Sequence, residues 1–364
     1  MNFLLRAIAV SLMAAPAAFA QGIEVNDIAG RQVTLDGPAE RVALAEARQL
    51  VAMSLVDPDF ADHVAGFADL PRLDAELQKA YFAAFPRLAA LPTLDGNQLP
   101  SAEKVIAARP DLMIMSGNTG ATDAALALAR TLEGAGIPTI FVDFRVDPFA
   151  NTVPSLRILG KALGREDEAA AFIDFYETHR DAVDRRIAGA ETRPAVLLHL
   201  QATRGNDLMS PGRENLGAFL EAAGGDNIGA GAVPGMFGAL SAEYVLAADP
   251  DVYIATGGTH FSRNSGVVVG PEVADDTARA SLRDFVDTHP ILSGLSAVRG
   301  GRAHGLWHNF HNNPLNVVAL EAMAAWLHPD LFPADLARTT LDEINARFLP
   351  VPIDGALTVD LDAR

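Results

Sequence analysis

The sequence predicts an α/β protein: two α/β lobes joined by a long rigid helix, with a ligand cleft between the lobes. Three observations predict this. A helix–strand segment occurs twice, 140 residues apart. Short apolar runs alternate with helical stretches on both sides of the chain's middle, the pattern of open α/β sheets. Between them, residues 151–188 keep helical apolar spacing with no Gly- or Ser-rich linker.

The repeat is explicit. Residues 101–120 read SAEKVIAARPDLMIMSGNTG and residues 241–260 read SAEYVLAADPDVYIATGGTH, identical at 11 of 20 positions. That period is too long for a solenoid. It places the same unit in each of two lobes, and a cleft between lobes favours a ligand. Ser101 and Ser241 are N-cap residues, and Glu103 and Glu243 fall in the first turn, where the helix dipole favours negative charge. Pro110 and Pro250 stop the helices. Residues 112–115 and 252–255 read as buried strands, and Gly117 and Gly257 lead into loops facing the cleft.

Residues 1–20 read as a secretory signal peptide, with Arg6, an apolar stretch over 7–15 and an Ala18-Phe19-Ala20 cleavage site. The chain has no Cys, which excludes a lipoprotein anchor at this site, disulfides and thiolate metal sites. The expected location is therefore the periplasm. Cleavage leaves 364 − 20 = 344 residues and, with Arg6 gone, takes the charge from −18 to −19. Such acidity argues against nucleic acid and anionic membranes as partners.

The expected organisation is an N-terminal lobe over 21–150, a connecting helical segment over 151–190 and a C-terminal lobe over 191–364. Residues 23–35 alternate around Ala29-Gly30 as a hairpin. A strand at 42–45 leads to a helix at 46–55, and a mixed segment runs to Leu99. After the first repeat come a helix at 121–135 and a strand at 139–143. In the connector, Leu156, Leu159, Leu163, Ala169, Phe172, Ile173 and Tyr176 form one stripe, interrupted by Gly164. Such a connector predicts small lobe motions. The α/β pattern restarts with a strand at 195–200 and a helix at 214–223. Residues 262–276 read as a surface loop, 305–307 as a last strand and 314–327 as a helix.

The signal peptide, the two lobes, the connecting helix and the doubled S-A-E-x-V-x-A-A-x-P-D together resemble the periplasmic substrate-binding proteins of ABC importers for ferric siderophores, haem and cobalamin. The resemblance covers essentially the whole mature chain. It implies a monomer that delivers a small-molecule iron complex to a permease dimer in the inner membrane, with no cofactor of its own. In this family each lobe offers a Glu to Arg residues of the permease, and Glu103 and Glu243 match those positions.

Candidate ligand contacts come from two patterns. The run Trp307-His308-Asn309-Phe310-His311-Asn312-Asn313-Pro314 sets Trp307 and Phe310 to stack on a planar ligand and His308 and His311 to bond it. Arg48, Arg145 and Arg204 each follow a strand end, where open α/β sheets place their crevice. Ferric siderophores are usually anionic, so Arg suits them. Glu46 and Asp143 are possible partners of Arg48 and Arg145. His260 and Thr259 sit at the cleft edge, and Met236 and Phe237 lie in a Gly-flanked loop over it. No direct metal site is assigned; His308 or His311 is the candidate if a side chain completes the shell of an incompletely chelated iron.

The leading expectation is a non-enzymatic solute-binding protein for a ferric siderophore, ahead of haem and then cobalamin. The competing class is a metal-dependent hydrolase using His304, His308 and His311, although no H-E-x-x-H, G-x-S-x-G or Walker motif accompanies them. A sensory or redox partner protein is the third class.

Overall fold

The computed structural model describes residues 22–116, 121–204 and 208–361. The signal peptide, Gly117 and the Thr119–Gly120 end of the first repeat lie outside them. The strands are β1 Ile23–Asn26, β2 Gln32–Leu35, β3 Val42–Leu44, β4 Val64–Phe67, β5 Leu112–Met115, β6 Thr139–Phe141, β7 Ala195–His199, β8 Leu208–Pro211, β9 Asp226–Asn227, β10 Phe237–Leu240, β11 Val252–Gly257, β12 Ala303–Trp307 and β13 Thr358–Asp360.

Two parallel sheets form the lobes. The N-terminal order is β4-β3-β5-β6 and the C-terminal order is β13-β12-β11-β7-β9. Read outward from its second repeat, the C-terminal order β9-β7-β11-β12 is the N-terminal order again, with β11 in the place of β5. The extra strand β13 adds antiparallel to β12. β3, β5 and β11 are buried along their full length, as strands covered on both faces must be. β1 and β2 pair antiparallel with Val25 opposite Val33, and β2 alternates exposed and buried residues, so only one face packs.

The doubled helix is built the same way twice. Ser101 Oγ accepts from Lys104 N–H in Ala102–Ala108, and Ser241 Oγ accepts from Tyr244 N–H in Ala242–Ala248. Each ends on a left-handed residue, Arg109 and Asp249. Each buries one side chain, Val105 or Val245, against its sheet.

The connector is two helices rather than one. Pro148–Leu163 ends at Gly164, whose φ of 65° breaks the run, and Glu166–Ile187 follows. The first helix belongs to the N-terminal lobe, where Ser155 Oγ accepts from Asp143 N–H. The second, of 22 residues, is the link between lobes. Its Tyr176 hydroxyl donates to Asn316 Oδ1 at 2.9 Å in the helix Asn316–Leu327. One continuous apolar core holds Leu50 and Leu156 of the N-terminal lobe, Phe172 and Ile173 of the connector, and Phe219 and Leu320 of the C-terminal lobe.

The segment expected as a surface loop at 262–276 is exposed at Ser262, Ser265, Glu272 and 274–276, but its centre turns inward. Val267 and Val269 are fully buried, and Val267 N–H donates to the Ala202 carbonyl. Its apolar Val triplet outweighs the polar residues around it. Phe237, expected over the cleft, pairs instead with Pro211 in the β8–β10 ribbon.

Candidate ligand-binding cleft

The ends of six strands converge on one cleft. β3 leads to Arg48, β4 to Arg72, Asp74 and Glu76, and β6 to Arg145. From the other lobe, β7 leads to Gln201, β11 to Thr259 and His260, and β12 to His308, Asn309 and His311. The cleft holds about 560 Å³. A second hollow of about 430 Å³ adjoins it, lined by Glu46, Asp69 and Ser116, and Arg72 borders both.

A polar network spans the floor. Arg48 donates to Glu46 Oε2 through Nη2 at 2.7 Å and Nε at 3.2 Å. This pair is nearly closed to solvent. From the other lobe, Asn312 Nδ2 donates to the same oxygen at 3.2 Å. Asn309 Nδ2 donates to Asp74 Oδ2 at 2.7 Å, and Trp307 Nε1 reaches Asp74 Oδ1 at 3.4 Å. Burial raises the Asp74 carboxyl above its ordinary range, more than these two hydrogen bonds lower it. At the rim, Thr259 Oγ1 donates to Glu76 Oε2 at 2.8 Å, a further bond from lobe to lobe.

The two histidines of the loop after β12 favour the neutral form. Burial, then the charges of Arg48, His260 and Arg145, pushes His308 down to about 3. Burial holds His311 well below the usual histidine range, with His308 and the same Arg charges adding to it. Thr256 Oγ1 lies 3.0 Å from His308 Nδ1, and the Gln201 amide lies 3.1 Å from Nε2. His311 Nδ1 donates to the His308 carbonyl at 2.6 Å, which makes Nε2 the acceptor nitrogen of its neutral ring.

The cleft therefore gathers Arg48, Arg145, His260, His308 and His311 from the sequence candidates. Three others fall elsewhere. Arg204 is on the outer surface, donating to Asp284 at 2.8 Å and Thr288 at 2.9 Å. Trp307 and Phe310 do not line the cleft. They are 1 % and 0 % exposed and pack edge to face at 5.1 Å, because the core behind the loop takes their rings and leaves His308 and His311 lining the cleft. The three-histidine arrangement does not form either. His304 bonds Asp360 at 2.7 Å and stacks on Trp326 at 4.6 Å. Among the described residues no cluster of three His, Cys, Asp or Glu is placed to hold a metal ion.

Sequence reasoning missed Arg72, Asp74, Glu76 and Gln201. Gln201 follows β7 directly, so the strand-end rule finds it if applied two residues after His199 rather than at the next Arg. Arg72, Asp74 and Glu76 follow β4, which lay unrecognised inside the mixed segment. Asp143 accepts the backbone N–H groups of Arg145, Val146 and Asp147 and so shapes the Arg145 turn.

Glu103 and Glu243 are both exposed, on the two doubled helices, and neither forms an ion pair among the described residues. No helix among the described residues is long and apolar enough to cross a membrane.

A family model described as periplasmic binding protein matches residues 51–306. Among solved structures, the TroA-like periplasmic binding protein FepB of Veillonella parvula superposes with a TM-score of 0.84 at 26 % identity, over 93 % of this chain and all of that one, 100 %. A periplasmic heme binding protein from Pseudomonas aeruginosa gives a TM-score of 0.60 at 22 % identity, over 90 % of this chain and 99 % of that one. An ABC-type Fe3+-hydroxamate transport protein from Saccharomonospora viridis gives 0.56 at 24 %, over 83 % of this chain and 98 % of that one. The last two likenesses establish the fold alone. No curated protein matches the chain by sequence. A match over most of the chain, on a fold of two like lobes around a polar cleft, makes this protein a member of the periplasmic binding protein family, the substrate-binding components of ABC transporters.

Proposed function

We propose that the protein is exported to the periplasm by cleavage after Ala20, captures an anionic ferric siderophore in the interlobe cleft, and delivers it without turnover to an inner-membrane permease dimer. One observation carries the ligand class: three guanidinium groups, Arg48, Arg72 and Arg145, line one cleft of an otherwise acidic protein. Glu46 pairs with Arg48 and Asp69 with Arg72, and Asp74 and Glu76 also line the cleft, so the guanidiniums serve as carboxylate-held hydrogen-bond forks rather than as a bare positive patch. Arg forks match the carboxylate and catecholate oxygens of such chelates, and a partly dry cleft strengthens each contact. Gln201 and Asn309 add amide groups for the ligand's outer oxygens.

A second reading has its own observation. His311 Nδ1 is committed to a carbonyl, so Nε2 is the nitrogen available to a metal centre. Haem with a vacant axial position, or a ferric chelate with an open site, would use it. Glu103 and Glu243 dock the loaded protein on the permease in either case. Charge reversal at both is expected to abolish uptake while ligand binding persists.

The test is intrinsic fluorescence of the mature protein titrated with ferric catecholate, carboxylate and hydroxamate siderophores, the iron-free forms, hemin and cobalamin. Trp307 bonds Asp74 at the cleft wall, so a Trp307→Phe control assigns the signal. Saturable quenching by an anionic ferric siderophore is expected. Response to hemin alone, with a shifted haem absorption band lost in His311→Ala, moves the ligand to haem. No response to any of them overturns both readings.

A further inference from the structure

We propose that each docking carboxylate is half of a two-part contact: Glu103 works with Ile106 on one lobe, and Glu243 with Leu246 on the other. The carboxylate half rests on the docking reading above; the apolar half goes beyond it. Only six large apolar side chains are markedly exposed among the described residues, and Ile106 at 40 % and Leu246 at 52 % are two of them. Single exposed apolar residues are ordinary. These two occupy equivalent positions of the repeat, at the same offset as Glu103 and Glu243.

Each helix buries only its Val; Lys104 and Tyr244, the latter 41 % exposed and another of the six, lie beside this pair at the surface. Val105 and Val245 are fully buried beneath it. The residue between Glu and Val is tied back to its own lobe in both copies. Lys104 Nζ donates to the Asp95 carbonyl at 2.7 Å, and the Tyr244 hydroxyl donates to the Ile228 carbonyl at 2.8 Å. Residues three apart on a helix share a face, so the carboxylate and the aliphatic side chain form one patch. The complement is a partner that offers the same surface twice, a cation beside an apolar hollow. The permease of an ABC importer, built from two equivalent subunits, has that form. Burying one aliphatic side chain beside each ion pair also desolvates the pair, which strengthens it.

The experiment uses the importer's permease–ATPase complex in proteoliposomes, with stimulated ATP hydrolysis titrated against the full mature protein. Ile106→Ser and Leu246→Ser are each expected to raise the half-maximal concentration about threefold, and the double variant about tenfold. Melting temperature and ligand affinity stay at wild-type values, and the Ile106→Leu/Leu246→Ile double restores the curve. If the serine double does not fold, Ile106→Gln/Leu246→Gln asks the same question with neutral, good helix formers. A wild-type curve for the folded double overturns the proposal, as does a loss confined to one lobe. Glu103→Gln/Glu243→Gln is run beside it. A defect there with none in the serine double removes the apolar half alone; the reverse removes the carboxylate reading and leaves the apolar contact standing.

Discussion

Asn312 Nδ2 donates to Glu46 Oε2 at 3.2 Å, joining residues 266 apart in the chain and on opposite sides of the cleft. The same oxygen receives Arg48 Nη2 at 2.7 Å. One carboxylate therefore fixes the direction of a cleft guanidinium and fastens the histidine loop of the second lobe to the first.

Removing that charge is costly because Arg48 stays buried. Glu46→Gln is expected to lower stability by about 3 kcal/mol, the cost of an uncompensated buried cation. Urea denaturation at pH 7 reads it. A change below about 1 kcal/mol would show that water replaces the carboxylate.

The cleft and surface arginines separate cleanly. Arg72→Ala and Arg145→Ala are each expected to weaken binding of the anionic ligand about tenfold or more, the loss of one charge-assisted contact. The deficit should shrink at high salt. Arg204→Ala, whose partners are Asp284 and Thr288 on the outer surface, leaves affinity unchanged. Equal effects at all three positions would argue for long-range attraction rather than contact.

His308 makes stability depend on pH. Its folded value, about 3, lies below the ordinary 6.5, so the unfolded chain binds the proton that the folded one refuses. Its contribution is complete above pH 6.5 and is lost as pH falls from there toward 3. His311 acts in the same direction. Asp74 acts oppositely: with its carboxyl raised, it favours the fold at low pH and loses that contribution as pH rises through its folded value. The slope attributable to His308 is at most about 1.4 kcal/mol per pH unit. His308→Gln should flatten the fall in melting temperature between pH 6.5 and 5. Parallel wild-type and variant curves would mean that His308 protonates in the folded cleft.

The two helices of the connector approach too closely for a side chain at Gly160. A Cβ there would lie 2.5 Å from Ala169 Cβ. Gly160→Ala is expected to destabilise by about 1–3 kcal/mol, the range for overpacking. Ligand affinity should change little, since the contact is remote from the cleft residues. Thermal unfolding and the fluorescence titration together distinguish this from a shift of the lobes.

The sequence by itself determined the lobes, because local physics wrote them twice. A capping Ser, a buried Val, a terminating Pro and an apolar strand recur at one offset, and each acts within its own segment. It also determined which loop carries His308 and His311, since both follow a strand end. The tertiary structure alone decided which face of that loop looks outward. Trp307 and Phe310 turned to the core because the helices beneath offered apolar surface, and His308 and His311 were left lining the cleft. β4 was hidden because four buried residues have no period to read, and Arg72, Asp74 and Glu76 were hidden with it. Arg204 met the strand-end rule in sequence, but Asp284 and Thr288, 80 and 84 residues on, hold it at the surface. Pairings at such separations depend on how packed elements meet, which no window of sequence contains.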